Sequence, residues 1–257
     1  ESRLAGDDPF PFCIMWANEN WTRSWNGRDQ DVLMEQRYDE VRAEQLIEDV
    51  MPLLRDPRYL RVGGRPLVAV YRPGQLPDLD ETVAKWRAVA KENGLDDLFL
   101  LAVDVASSFD GIQGDAFDHG FDGTLGFPPH NLPYRGLEPG TVTVVKGFKG
   151  SVLSYADLAI DAENADLAGV RRKHFPGVAT GFDNTPRRQL SSHVWHGSNP
   201  YTFRRWLSSA VKSVVARPRS ERLVFINAWN EWAEGAVLEP SEQYGSSYLL
   251  AVRNVAF

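Results

Sequence analysis

The chain has 257 residues, 43% of them hydrophobic and 25% charged, and a net charge of −7. That length suits one sizeable core, and the ordinary composition excludes a disordered chain. The acidic balance excludes the basic surface that nucleic acids or anionic membranes need, and no apolar run reaches the roughly 18 residues of a membrane-spanning helix.

Short apolar runs alternate with longer amphipathic ones. Residues 10–17 read as a buried strand ending in Asn18-Glu19-Asn20. The lone cysteine, Cys13, lies in that run, reads as a buried inert thiol, and excludes an intrachain disulfide. Residues 39–54 place Val41, Leu46, Ile47, Val50, Leu53 and Leu54 near helical spacing. A strand over 67–71 stops at Pro73-Gly74, and a helix over 79–93 ends at Gly94 in the C-cap position. A strand over 98–105 follows, then a Gly/Asp-rich loop and a weaker strand over 123–127. A helix is expected over 155–172, a strand over 177–182, a helix over 202–216, a strand over 223–227 and a terminal helix over 246–254.

Nearly continuous apolar strands separated by helices indicate a parallel sheet covered by helices. Most of these strands stop in polar residues, where ligands sit in such sheets. No Gly-rich phosphate loop follows any strand, so a nucleotide fold is disfavoured and a (β/α)₈ TIM-like barrel is the expected α/β architecture, with residues 1–257 as a single domain. About six strands are visible where a closed barrel needs eight. The chain is therefore expected to begin inside the barrel, lacking its first one or two βα units, although two strands hidden in apparent loops would also close the count.

The strongest constellation is Trp229-Asn230-Glu231-Trp232-Ala233-Glu234-Gly235, directly after the last strand. Two carboxylates three residues apart can face one pocket if the segment turns tightly. Their mutual repulsion then separates a protonated acid from an ionised base, the division of labour that glycosidic bond cleavage needs. Trp229 and Trp232 offer the apolar face that a sugar ring stacks on, and Asn230 a hydrogen-bonding group. The bland alternative is a solvated Glu-x-x-Glu on a surface turn.

A second constellation, Trp16-Ala17-Asn18-Glu19-Asn20-Trp21-Thr22-Arg23-Ser24-Trp25, mixes aromatic and polar groups at a strand end. Trp16, Asn18, Glu19, Asn20 and Trp21 are candidate glycan-binding residues, against a capping loop with a Glu19–Arg23 ion pair. Tyr71, Asp104, His130 and Asp183 are further candidates because each follows a strand, and Asp122 is a weaker one. Asp183-Asn184-Thr185-Pro186-Arg187-Arg188 can place a carboxylate and an arginine near a sugar or phosphate. His193 and His196 flank Trp195 without a matching third ligand, so no metal and no cofactor are expected.

Five segments together resemble one family. Trp16-Ala17-Asn18-Glu19-Asn20-Trp21, Asp56-Pro57-Arg58-Tyr59, Gly64-Arg65-Pro66-Leu67, Phe127-Pro128-Pro129-His130 and Asn227-Ala228-Trp229-Asn230-Glu231-Trp232-Ala233-Glu234-Gly235 resemble the WbsX-like family, described as carrying a glycoside-hydrolase-family-99-like domain. The resemblance runs along nearly the whole chain, and its first and last motifs are highly specific. It implies a (β/α)₈ fold, further residues upstream, and a role with polysaccharides such as lipopolysaccharide O-antigen, as glycosyltransferase or glycoside hydrolase. Better-understood relatives in glycoside hydrolase family 99 are retaining endo-α-mannosidases. There the first Glu of a Glu-x-x-Glu pair deprotonates the substrate's own 2-hydroxyl and the second is the general acid. Carried over, Glu231 is the base and Glu234 the acid. Ala233 stands where those relatives tend to have His, which puts the substrate or the roles in question.

The expected function is thus a retaining glycoside hydrolase-like enzyme on polysaccharide. The alternatives are a glycosyltransferase of surface-polysaccharide biosynthesis, a non-catalytic glycan-binding barrel, and a structural partner of surface-glycan enzymes. The family's setting implies a cytoplasmic location.

Overall fold

The computed structural model describes residues 10–23, 28–38, 42–105, 109, 112–133, 135–138, 140–167 and 173–256. They group into two compact units. The described parts of residues 1–19, 36–103 and 107–124 form one, and those of 20–35, 104–106 and 125–257 the other.

In the first unit the strands Ile14–Trp16, Arg65–Val70 and Phe99–Asp104 run parallel, with Ile14 opposite Val68 and Val68 opposite Leu100. Five consecutive residues of the middle strand, Pro66 to Val70, are buried, as expected of a strand covered on both faces. The helices Gln45–Leu54 and Leu79–Glu92 supply Ile47, Leu54, Val83, Trp86 and Ala90 to the core with Val68, Val70 and Leu100. A two-residue turn joins Arg61–Val62 to Arg65–Val70, and Gly63 and Gly64 take the positive φ of 57° and 83° that a type I′ hairpin requires. The Tyr59 hydroxyl donates to Leu67 O at 2.8 Å and accepts from Ile14 N at 3.2 Å, tying two parallel strands.

Asp122, a weaker site candidate, is committed to the scaffold. It accepts from Arg65 at 2.7 Å, Arg87 at 2.8 Å and Leu100 N at 3.0 Å. Asp122→Ala leaves two half-buried guanidiniums and a strand amide without this acceptor. We expect it to cost about 3 kcal/mol, read as a lower urea midpoint at unchanged slope.

The second unit is built from short pairs. Ser151–Ser154 runs parallel to His193–His196, and Gly177–Val178 runs parallel to Phe225–Ile226. Trp21–Arg23 pairs antiparallel with Arg28–Met34, as does Asn230–Glu231 with Ala236–Val237. The helices Tyr155–Leu167, Pro200–Val214 and Ser247–Ala256 cover a core rich in aromatics, among them Tyr155, Trp195, Phe203, Trp206 and Tyr248. Asn199 caps the middle helix, its Oδ1 accepting from Tyr201 N at 3.1 Å and Thr202 N at 3.0 Å, with Pro200 at the first helical position.

Every expected helix and strand has a counterpart, usually shorter. The helix expected over 39–54 begins at Gln45, with 39–41 outside the described residues. The helix over 155–172 is described to Leu167, and 168–172 also lie outside. The strands over 177–182 and 223–227 shrink to Gly177–Val178 and Phe225–Ile226. Ser151–Ser154 and His193–His196 are strands in segments that read as loops, and they form a two-stranded sheet of their own. The fold is mixed α/β with mainly parallel strands. Among the described residues no helix is long and apolar enough to cross a membrane.

Candidate active site

The chain after Phe225–Ile226 folds back as a tight hairpin. Asn230 pairs with Val237 and Glu231 with Ala236, and a 3-10 turn, Trp232–Glu234, fills the bend. Gly235 closes it at φ +61°, a left-handed position that a side chain tolerates poorly. Trp229 O accepts from Leu238 N at 2.8 Å and Glu239 N at 3.0 Å, which fixes the base of the hairpin. The bend turns both carboxylates toward Arg187 on the single-turn helix Thr185–Arg188. Arg187 Nη1 donates to Glu234 Oε1 at 2.9 Å, and its Nη2 lies 3.1 Å from Glu231 Oε1.

The two carboxylates differ in surroundings. The Glu231 side chain is 38% exposed and that of Glu234 25%. Burial raises the Glu234 pKa above the ordinary carboxylate value; Arg187 pulls it down, Glu231 pushes it up, and Arg188 pulls it down again. Glu231 Oε1 also accepts from Ala233 N at 3.2 Å, so Ala233 contributes through its backbone. A half-buried carboxyl with a raised pKa beside a more exposed one is an arrangement that general acid–base chemistry can use.

Asp183 supports the bend through its backbone and holds Thr185 with one carboxylate oxygen. Its N–H donates to Glu234 O at 2.6 Å, while Oδ1 accepts from Thr185 N at 2.9 Å and from the Thr185 hydroxyl. Trp229 and Trp232 are 53% and 54% exposed beside the carboxylates, and Asn230 is exposed as well. Trp232 is oriented by its indole N–H, which donates to Glu239 at 2.7 Å. His130 stacks on Phe127 and meets Phe182 edge-on, with ring centroids 6.2 and 6.1 Å away.

In the first unit the segment after Ile14–Trp16 is wired to the end of the neighbouring strand. Asn18 is fully buried, and both ends of its amide are spent there. Nδ2 donates to Tyr38 Oη at 2.9 Å and Arg72 O at 2.8 Å, and Oδ1 accepts from Arg72 N at 2.7 Å. The expectation that Asn18 binds substrate is corrected, because it clamps two strand ends and reaches no surface. Glu19 pairs with Arg72 at 2.9 Å, which replaces the expected partner Arg23. Trp16 is half-buried, its ring centroid 6.1 Å from Tyr38 and 6.2 Å from Trp86. Tyr71 is half-buried with the Arg72 guanidinium 4.9 Å over its ring.

Asn20 and Trp21 belong to the second unit, exposed at the start of the Trp21–Arg23 hairpin, with Trp21 59% exposed. Asp104, half-buried, ends its strand. Trp25 lies outside the described residues. His193 and His196, three apart on a strand, point to opposite faces, and among the described residues no group of three or more ligand-type side chains could hold a metal. Arg187 was legible only as an arginine near Asp183; its hold on both glutamates was not.

Two carboxylates on one hairpin, bridged by one arginine and flanked by exposed indoles, define a carboxylate-pair site on an α/β scaffold. The chain belongs to the WbsX glycosyltransferase family, whose description, "Glycosyltransferase WbsX", matches residues 2–252. It is 41% and 40% identical, over 95% of its length, to the uncharacterized protein WxcX of two strains of Xanthomonas campestris pv. campestris, ATCC 33913 and B100. It spans about a third of those relatives, 34% of each. Among solved structures it is similar to a glycoside hydrolase-like protein, with TM-score 0.56 and 15% identity over 83% of this chain and 60% of that one. A family 99 endo-α-mannosidase from Bacteroides thetaiotaomicron aligns with TM-score 0.49 and 14% identity over 85% and 67% of the two chains.

Proposed function

We propose that the chain is a glycan-acting enzyme that cleaves glycosidic bonds of polysaccharide with retention, Glu234 serving as general acid and Glu231 as base. The observation that carries this reading is the arginine shared between two carboxylates of unequal burial. Glu234, whose pKa burial raises, gives its proton to the departing glycosidic oxygen. Glu231, more open, takes the proton from the substrate's own 2-hydroxyl as that oxygen bonds C1 and the glycosidic bond breaks. Water then opens the anhydro sugar at C1 to give net retention, as the family 99 resemblance implies. Arg187 holds both carboxyls in register and offsets their repulsion before substrate arrives. Trp229 and Trp232 stack on sugar faces, and Asn20 and Trp21 of the same unit are further glycan contacts; Trp16 and Tyr71 are candidate sugar-binding groups of the other unit.

The scaffold in this reading is a single (β/α)₈ domain acting in the cytoplasm on surface glycans of the lipopolysaccharide kind. The test is release of new reducing ends from α-mannan and from bacterial O-antigen polysaccharides, with product anomers followed by NMR. Retained configuration supports the reading, and an inverted product sinks it. Transfer is the second reading, favoured by the family's description as a glycosyltransferase. It predicts lengthened acceptor glycans and no reducing ends. Binding without either product would point to a non-catalytic glycan module.

A further inference from the structure

The second unit holds a cleft of about 530 Å³ that the carboxylate mechanism does not use. That is large enough for a sugar ring. Phe182, Trp195, Leu132 and Pro133 give it apolar walls suited to the C–H face of a ring. Its polar lining is Arg188, His130, His193, Asn184 and Ser191, with no acidic side chain among the described residues.

That lining is rich in donors. Arg188 has donors only. Asn184 is 8% exposed, and its Oδ1 is taken by His193 N at 2.7 Å, which leaves the Nδ2 amide protons for whatever enters the cleft. A neutral sugar hydroxyl must both donate and accept, so its sites mix carboxylates with donors; a carboxylate ligand only accepts. The cleft is also continuous with the catalytic hairpin through the chain: Asp183 N–H holds Glu234 O while Asn184, the next residue, lines the cleft, and Arg187 grips the glutamates while Arg188 lines the cleft.

We propose that this cleft is a subsite for a sugar carrying a carboxylate, so that the preferred substrate is an acidic glycan with a uronic acid next to the cleaved bond. Arg188 pairs with the carboxylate, Asn184 and Ser191 complete its hydrogen bonds, and Trp195 and Phe182 receive the ring. Arg188 lies close enough to His193 to act on it: burial lowers the His193 pKa, and Arg188 lowers it further. The inference rests on the glycan-cleaving reading for its place beside the bond, while the subsite itself is tested by binding, which needs no turnover.

The test is ligand binding by saturation-transfer and titration NMR on the whole chain. The probes are the methyl glycosides of glucuronic and galacturonic acid, their uncharged amides, and glucose 1-phosphate. At least one acid is expected to bind about tenfold more tightly than its amide, as one charge-assisted contact supplies. Arg188→Gln erases that preference and Arg188→Lys keeps part of it. If Arg188→Gln does not fold, Ser191→Ala provides the second reading and narrows the preference. Equal binding of acid and amide, or a preference that survives these changes, overturns the proposal. Tighter binding of glucose 1-phosphate than of either acid overturns it too, in favour of a phosphoryl site. A chain that prefers acids yet cleaves no glycan supports the subsite and defeats the hydrolase reading. One that cleaves neutral glycans without any acid preference does the reverse.

Discussion

Under the proposed mechanism Glu234→Gln is expected to lower glycan turnover by about 10²- to 10⁴-fold while glycan affinity stays near that of the parent, because the amide keeps the shape and loses the acidic proton. Glu231→Gln is expected to act equally strongly. The pH profile carries the sharper prediction. Burial raises the Glu234 pKa, so the acid form persists to higher pH than an ordinary carboxyl would, and activity falls as pH rises through that raised value. Arg187 is the largest influence pulling the value down. Arg187→Met therefore moves the alkaline limb of kcat/KM to higher pH, besides slowing the reaction by loosening the pair. An alkaline limb that stays put or moves to lower pH would remove Glu234 from the acid role. Turnover that survives both Gln variants would place the chemistry elsewhere, with Glu19 the next candidate.

Gly177→Ala is expected to be among the most destabilising single changes to this chain. A Cβ at 177 would sit 1.9 Å from Gly126 O and 2.6 Å from Gly126 C, both backbone atoms that cannot swing aside. The approach is mutual, since a Cβ at 126 would meet Gly177 N at 2.8 Å. The two backbones must part, which disturbs the parallel pair that Gly177–Val178 makes with Phe225–Ile226. The expected loss is about 3 kcal/mol, or roughly 6–12 °C in Tm. Gly136→Ala is the control: exposed, at ordinary φ and with nothing within 4 Å of its Cβ, it should change stability by less than about 0.5 kcal/mol. Similar melting of the two variants would contradict the packing described for residues 126 and 177.

Legibility in the sequence followed burial and chain distance. The helix Leu79–Glu92 announced itself because Val83, Trp86 and Ala90 recur at helical spacing and meet one core. Arg65–Val70 and Phe99–Asp104 were plain because both faces are covered, leaving uninterrupted apolar runs. Ser151–Ser154 and His193–His196 hid because only Leu153 and Trp195 among their residues are buried, so neither an apolar run nor a clean alternation marks them. The glutamate pair was visible as a motif. Its clamp was not, since Arg187 lies 47 residues before Glu234 and only the folded chain brings the two together. Asn18 was misread for the same reason: a polar residue at a strand end looks available until Tyr38 and Arg72 arrive to consume its amide.

The distribution of indoles gives the molecule two separable optical signals. Trp86, Trp195 and Trp206 are nearly solvent-free, whereas Trp21, Trp229 and Trp232 are more than half exposed. Acrylamide reaches the exposed set in the native state and the buried set only on unfolding. A glycan lying across Trp229 and Trp232 therefore shields them from quencher and shifts their emission to the blue while Trp86 and Trp206 stay silent. Intrinsic fluorescence can thus follow occupancy at the carboxylate hairpin and integrity of the core in one unlabelled sample, before any substrate is known.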